Sequence, residues 1–298
     1  MGFRSDVCLP PQRLKLMLVE EPRQIHHRKL NVAIGPDNGP PLLLLHGVTR
    51  RWQTFLPLLP QFVLRHTVYA LDHRGHGQSD RADSYLVKDY CDDVFELVRD
   101  HMTGPLRVYG HSLGAMVAAA VAAEFPDRVV GAILEDPPME TMGERIVTTP
   151  LMSMFQAYRD VAEAGGSDQD RLERISNWEI DNPQDNSRRR MADMRDQASL
   201  RFTVSCLKQL DPHVCDPILE RVWLKGFDGN AAFDAIQCPT MLLQADIRSG
   251  GMLTDDDAVR VCQNKMITRE QFLSTPHQIH WAETQQVLNL STNFLESL

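Results

Sequence analysis

The chain has 298 residues, 43% of them hydrophobic, and a formal net charge of −9 from 40 acidic against 31 basic residues. That length is ample for a large core, and the acidic balance gives no hold on a phosphate backbone, so no nucleic-acid partner is expected. No apolar run approaches the roughly 18 residues of a membrane span, so no membrane partner is expected either.

At the N-terminus, Met1–Gln12 holds no apolar run ahead of a small-residue cleavage site, and Asp6 stands where a myristoylation start wants Ser or Thr. The six cysteines (Cys8, Cys91, Cys206, Cys215, Cys238, Cys262) form no CxxC pair. Both features predict a cytoplasmic setting, with the thiols as small core residues.

Arg13–Val19 and His27–Ile34 read as extended segments, followed by the turn Gly35-Pro36-Asp37-Asn38-Gly39-Pro40. Leu42–Leu45 is an uninterrupted apolar run, as expected of a strand buried on both faces. A helical stretch from about Trp52 to Leu64 precedes a strand at Thr67–Leu71, and a helix around Tyr85–His101 leads to a strand at Leu106–Tyr109. The Ala-rich run Leu113–Glu124 predicts a helix ended by Phe125-Pro126, and Val129–Leu134 the next strand. After Pro137-Pro138 the rhythm breaks. Residues 139–234 are polar and helical in pattern with no convincing strand, and Arg188-Arg189-Arg190 among them reads as a solvated helix face. Alternation resumes with a strand at Pro239–Gln244, a helix at Asp255–Gln263, a short strand at Gln271–Leu273 and a last helix near Ala282–Leu298. The prediction is an α/β fold with a mostly parallel sheet and helices on both faces. Residues 1–138 and 235–298 would form the core, and 139–234 a helical cap over the active-site edge; the alternative is a loose excursion with no part in binding.

Gly110-His111-Ser112-Leu113-Gly114 matches the G-x-S-x-G nucleophile elbow. The bare pattern arises by chance about 0.1 times in such a chain, so its position decides its weight. It follows a predicted strand and opens a predicted helix, which favours a nucleophile over a helix-capping serine. Glycines on either side keep Cβ atoms out of the crowded turn. Upstream, Leu45-His46-Gly47-Val48 ends the apolar strand in a loop whose Val48 N–H, with Leu113 N–H, is placed to hold an oxyanion. Asp72-His73-Arg74-Gly75-His76-Gly77-Gln78-Ser79-Asp80 offers metal-ligating residue types, but no second cluster stands at zinc-like spacing, so neither a metal nor another cofactor is expected.

This set of motifs, in this order, resembles the α/β-hydrolase fold superfamily over almost the whole chain. The resemblance implies an eight-stranded sheet, a lid at residues 139–234, and Ser112 where some members carry an Asp for epoxides or haloalkanes. It also implies the chain order Ser, acid, His. For the base, His277 stands directly after the last strand and a short turn, ahead of His280. For the acid, relatives most often use a position after the strand Pro239–Gln244, where Arg248 stands here and Asp246 lies two residues early. A second solution puts it at the end of the preceding strand. Asp136, 24 residues after Ser112, is therefore the first choice, with Asp246 the alternative and Glu135 third; a capping acid beside two prolines is the bland reading of Asp136.

The expected function is a serine hydrolase cleaving a small or medium ester or lactone. The same triad on an amide or a carbon–carbon bond, or a slow-turnover receptor, stands beside it. Trp52, Met139, Phe155 and Trp178 are candidate pocket residues, although aromatics at helical spacing more often fill a cap's own core. Arg50 and Arg51, near the oxyanion loop, leave a carboxylated substrate open. A small molecule is the one partner expected, and the oligomeric state is left open.

Overall fold

A computed structural model describes residues 18–182 and 186–298. The expectations for Met1-Gly2, Cys8 and residues 13–17 of the first extended segment lie outside the described residues. The strands in chain order are β1 (Val19–Ile25), β2 (Arg28–Ile34), β3 (Pro41–Leu45), β4 (Thr67–Leu71), β5 (Leu106–His111), β6 (Val129–Glu135), β7 (Glu179–Asn182), β8 (Ser187–Arg190), β9 (Thr240–Gln244) and β10 (Ile267–Gln271). Eight of them form one sheet in the order β1-β2-β4-β3-β5-β6-β9-β10. The pairs β1/β2 and β2/β4 are antiparallel, and every other neighbouring pair is parallel.

Side-chain alternation explains why β3 is leucine throughout. Leu43 and Leu45 face one core layer, Leu42 and Leu44 the other, and all four are fully buried. The helix Leu113–Glu124 covers the first face and buries ten consecutive residues, Leu113 to Ala122; its alanines let it sit between the sheet and the helix Val87–Glu96. The C-terminal helix Thr284–Glu296 packs on the second face through Val287 and Leu295.

Between β6 and β9 lie the helices Leu151–Glu163, Asp168–Asn177 and Gln197–Leu207, with shorter turns. Their apolar sides, including Phe155, Leu200 and Val204, join the core layer of the first face. Two expectations are corrected here. The segment is not strand-free, because β7 and β8 form a hairpin. The three arginines lie on β8 rather than on a helix, and Arg188 stands opposite Asp181 and pairs with it and Glu179. The last strand is also shifted, ending at Gln271 where Gln271–Leu273 was expected. Helices are shorter than predicted near the N-terminus: Trp52–Phe55 is a 3-10 turn and Leu59–Phe62 a single helical turn. No helix among the described residues is long and apolar enough to cross a membrane.

Candidate active site

Ser112 sits between β5 and the helix Leu113–Glu124 with φ 57° and ψ −119°. This backbone region is costly for a side chain, by about 1–3 kcal/mol, and is held here by its surroundings. Ser112 N–H donates to Glu135 O at 2.8 Å, and Ser112 O accepts from Ala115 N at 2.9 Å. The flanking glycines are sterically required. A Cβ on Gly110 would stand 2.0 Å from Gly114 O, and one on Gly114 would stand 1.9 Å from Leu45 O. The elbow is therefore pressed against the end of β3. Leu113 N–H, at the first position of the helix, is one of the amides with no acceptor inside it.

Asp136 follows β6 directly, with φ 46° and its side chain fully buried. Its Oδ2 lies 2.6 Å from His277 Nδ1 and accepts from Met252 N at 2.8 Å, while Oδ1 accepts from Leu253 N at 3.2 Å and Ala245 N at 3.3 Å. These amides leave the carboxylate in one orientation. Asp246 is engaged elsewhere: it caps the 3-10 turn Ile247–Ser249 through Arg248 N and accepts from Ser274 N. The Arg248 guanidinium beside it holds its carboxyl below the usual range.

One residue before Asp136 and three after His277 lies a second acid–histidine pair. His280 Nδ1 is 2.7 Å from Glu135 Oε1, His280 N–H donates to the same oxygen at 3.1 Å, and Tyr109 OH donates to Oε2 at 2.6 Å. Both residues of this pair are fully buried. Burial works against the Glu135 charge, but His280 and His111, together with the donors, outweigh it and bring its carboxyl down to about 2. His111 ties this layer to the base: its Nε2 is 3.1 Å from His277 O, which fixes the hydrogen on Nε2. Its Nδ1 has no hydrogen-bond partner among the described residues. Ligand atoms of His111, Glu135 and His280 lie within 4.8 Å of one another, the one grouping among the described residues with metal-ligand proximity. The Glu135–His280 and Tyr109 hydrogen bonds account for its geometry.

The loop after β3 is shaped by neutral histidines. His46 Nε2 accepts from His73 N at 3.0 Å, and His76 Nε2 accepts from Thr49 N at 3.0 Å. Each needs an unprotonated nitrogen. Burial is the main cause that lowers His46 to about 4, His76 to about 3, and His73 well below the ordinary imidazole value. The sequence reads the histidines of Asp72–Asp80 as structural once a metal is set aside, and here the His76 ring holds Thr49 N–H while His73 N–H holds the His46 ring. Asp72 accepts from Trp52 N and Asn31 Nδ2, and Arg74 makes a two-point pair with Asp93 at 2.6 Å.

Ser112, His277 and Val48 line one cavity of about 130 Å³. Its apolar walls include Met142, Leu151, Met154, Phe155, Tyr158 and Met252, and its polar walls include Arg50, Arg195 and Gln278.

A family model described as alpha/beta hydrolase fold matches residues 40–282. The chain belongs to the α/β-hydrolase fold family. Several of its matched relatives are named as hydrolases or lipases. The 2-(acetamidomethylene)succinate hydrolase of Mesorhizobium japonicum is 35% identical over 127 residues, covering 42% of this chain and 46% of that protein. The chain thus matches about half the length of that curated relative. Among solved structures, E-2-(acetamidomethylene)succinate hydrolase superposes with a TM-score of 0.73 at 20% identity, over 94% of this chain and 99% of the other. The enol-lactonase from Burkholderia xenovorans LB400 gives 0.69 at 15% identity, over 93% and 100%.

Of the expected site residues, this α/β-hydrolase brings Ser112, His277, Asp136 and the Val48 and Leu113 amides to one edge of the sheet. Asp246 stays apart, held by Arg248. Phe155 is in the cavity wall; three other pocket candidates are not. Trp52 is turned to the far side of the loop, where its Nε1 donates to Glu20 Oε1 at 2.6 Å. Met139 is buried against Gly229 and borders a separate cleft with Met116 and Phe227. Trp178 lines a separate cleft of about 940 Å³, beside Met152 and Arg188, whose lining does not include Ser112. Arg195 was missed. It follows the helical turn Met191–Met194, and no pattern in the sequence marks which way that turn faces.

Proposed function

We propose that the protein is a serine hydrolase that cleaves a small ester or lactone through an acyl-enzyme on Ser112. The observation that carries this reading is the 2.6 Å contact of a fully buried Asp136 with His277, which lines the same cavity as Ser112. The Nδ1 hydrogen of His277 is donated to Asp136, which leaves Nε2 free to take the Ser112 proton as Oγ attacks the carbonyl. Val48 and Leu113 N–H groups would hold the oxyanion, each contributing a few kcal/mol at the transition state. His277 then returns the proton to the leaving oxygen, and water hydrolyses the acyl-enzyme by the same steps. The small cavity supports a small acyl group.

An amide is the second reading, favoured by the acetamido group in the name of the M. japonicum relative. A panel of esters, lactones and amides of one short acyl group tests both, with Ser112→Ala as control. Turnover of the ester or lactone above the amide, lost in the control, is expected. Preference for the amide would move the assignment to the second reading. Turnover surviving in Ser112→Ala, or a single burst with no steady state, would overturn it.

A further inference from the structure

The cavity beside Ser112 carries two guanidinium groups and no carboxylate. Arg50 stands directly after the Gly47–Thr49 loop, and Arg195 comes from the inserted segment. Arg50 Nη1 donates to Thr203 Oγ1 at 2.8 Å, which anchors it to the helix Gln197–Leu207. Arg51 faces away and binds Gln209 and Ser205. Neither Arg50 nor Arg195 has an ion pair among the described residues, and no acidic side chain lines the cavity with them. The remaining wall is mainly methionine, leucine and aromatic carbon.

A half-buried cation in apolar surroundings is costly unless an anion joins it. Guanidinium groups match carboxylate oxygens with paired, directional hydrogen bonds. We infer that Arg50 and Arg195 form a carboxylate subsite, so that the substrate carries a carboxylate on the acyl chain cleaved at Ser112. The inference rests on the serine-hydrolase reading for which bond is cut, and on the cavity's charge for what is recognised.

Ethyl butyrate and monoethyl succinate differ only in a terminal methyl against a carboxylate on the same four-carbon acyl chain. The ratio of their kcat/KM values isolates that group. Monoethyl succinate is expected to be favoured about tenfold or more by the wild-type protein, and Arg50→Met or Arg195→Met should each cut that ratio by about ten- to hundredfold. Arg50→Lys should restore part of it. Calorimetric titration of succinate into the same variants reads the subsite without chemistry at Ser112. Arginine-dependent succinate binding with neither ester turned over would keep the subsite and sink the serine-hydrolase reading. Turnover with a ratio below one, or one that neither Met variant alters, would overturn the subsite and leave the hydrolase reading standing.

Discussion

Asp136 Oδ2 lies 2.6 Å from His277 Nδ1 although 141 residues separate them in the chain. The contact exists because β6 and the segment after β10 end on the same edge of the sheet, one strand apart across β9. Replacing Asp136 by Asn leaves the shape but offers an amide that can present the wrong group to His277 Nδ1. A fall in kcat of about 10³–10⁴ is expected, as for other Asp-to-Asn changes behind a catalytic histidine. Asp246→Asn should stay within about tenfold, since Asp246 caps a turn and binds Ser274 N. Steady-state kinetics on one ester decides between them, and the reverse order would place the acid at Asp246.

The buried Glu135–His280 pair makes a different prediction. Its residues touch Tyr109, Thr54 and the Ser112 backbone rather than the cavity. Glu135→Gln or His280→Leu leaves one partner buried without the other, which costs about 3–5 kcal/mol. Denaturant unfolding should show that loss in both single variants. Stability unchanged in either would mean that the pair contributes nothing to the layer under the elbow.

At the elbow itself, Gly114→Ala would put a methyl 1.9 Å from Leu45 O. Backbone cannot yield as a flexible side chain does, so β3 or the helix must move. Loss of soluble protein, or a drop in Tm of more than about 10 °C, is expected for a penalty of several kcal/mol. A variant with wild-type Tm would contradict the close approach.

Acid should unfold the protein earlier than its carboxylates alone require. His46 and His76 are held neutral by burial, down to about 4 and about 3, against 6.5 in the open chain. The unfolded chain therefore binds protons first as the pH falls. The stability tied to these groups is full above 6.5 and is lost progressively towards their folded values, about 3 kcal/mol for His46 alone by pH 4. Glu135, lowered to about 2, adds a loss of the same sign only below about 4.5. Urea midpoints at pH 7.5 and pH 5 test this. A lower midpoint at pH 5 is expected, and equal midpoints would show that His46 and His76 do not titrate with unfolding.

The sheet and the elbow were legible because their signals are local. Leu42–Leu45 is apolar throughout since both its faces are covered, and Gly110 is required by a contact inside one turn; the need for Gly114 comes from Leu45 O at the end of β3 and was legible only through the motif. The edge was less legible. β10 is Ile-Thr-Arg-Glu-Gln with a neighbour on one side only, and an edge strand tolerates charge, so the more apolar Phe272-Leu273 drew the prediction two residues on. β7 and β8 carry almost no apolar residues, and cross-strand pairs such as Arg188 with Asp181 give no periodic hydrophobic signal. The inserted segment hid its pocket residues for a related reason. Phe155 and Trp178 are both aromatic and partly apolar-facing, but which side of a helix meets Ser112 depends on packing that no single segment encodes.

Ser112 as the nucleophile is open to a direct test by reaction with a fluorophosphonate followed by peptide mass mapping. A single adduct on the peptide bearing Ser112, absent from Ser112→Ala and slowed by about 10³-fold or more in His277→Ala, is the predicted result. An adduct on another serine, or labelling undiminished in Ser112→Ala, would contradict the account.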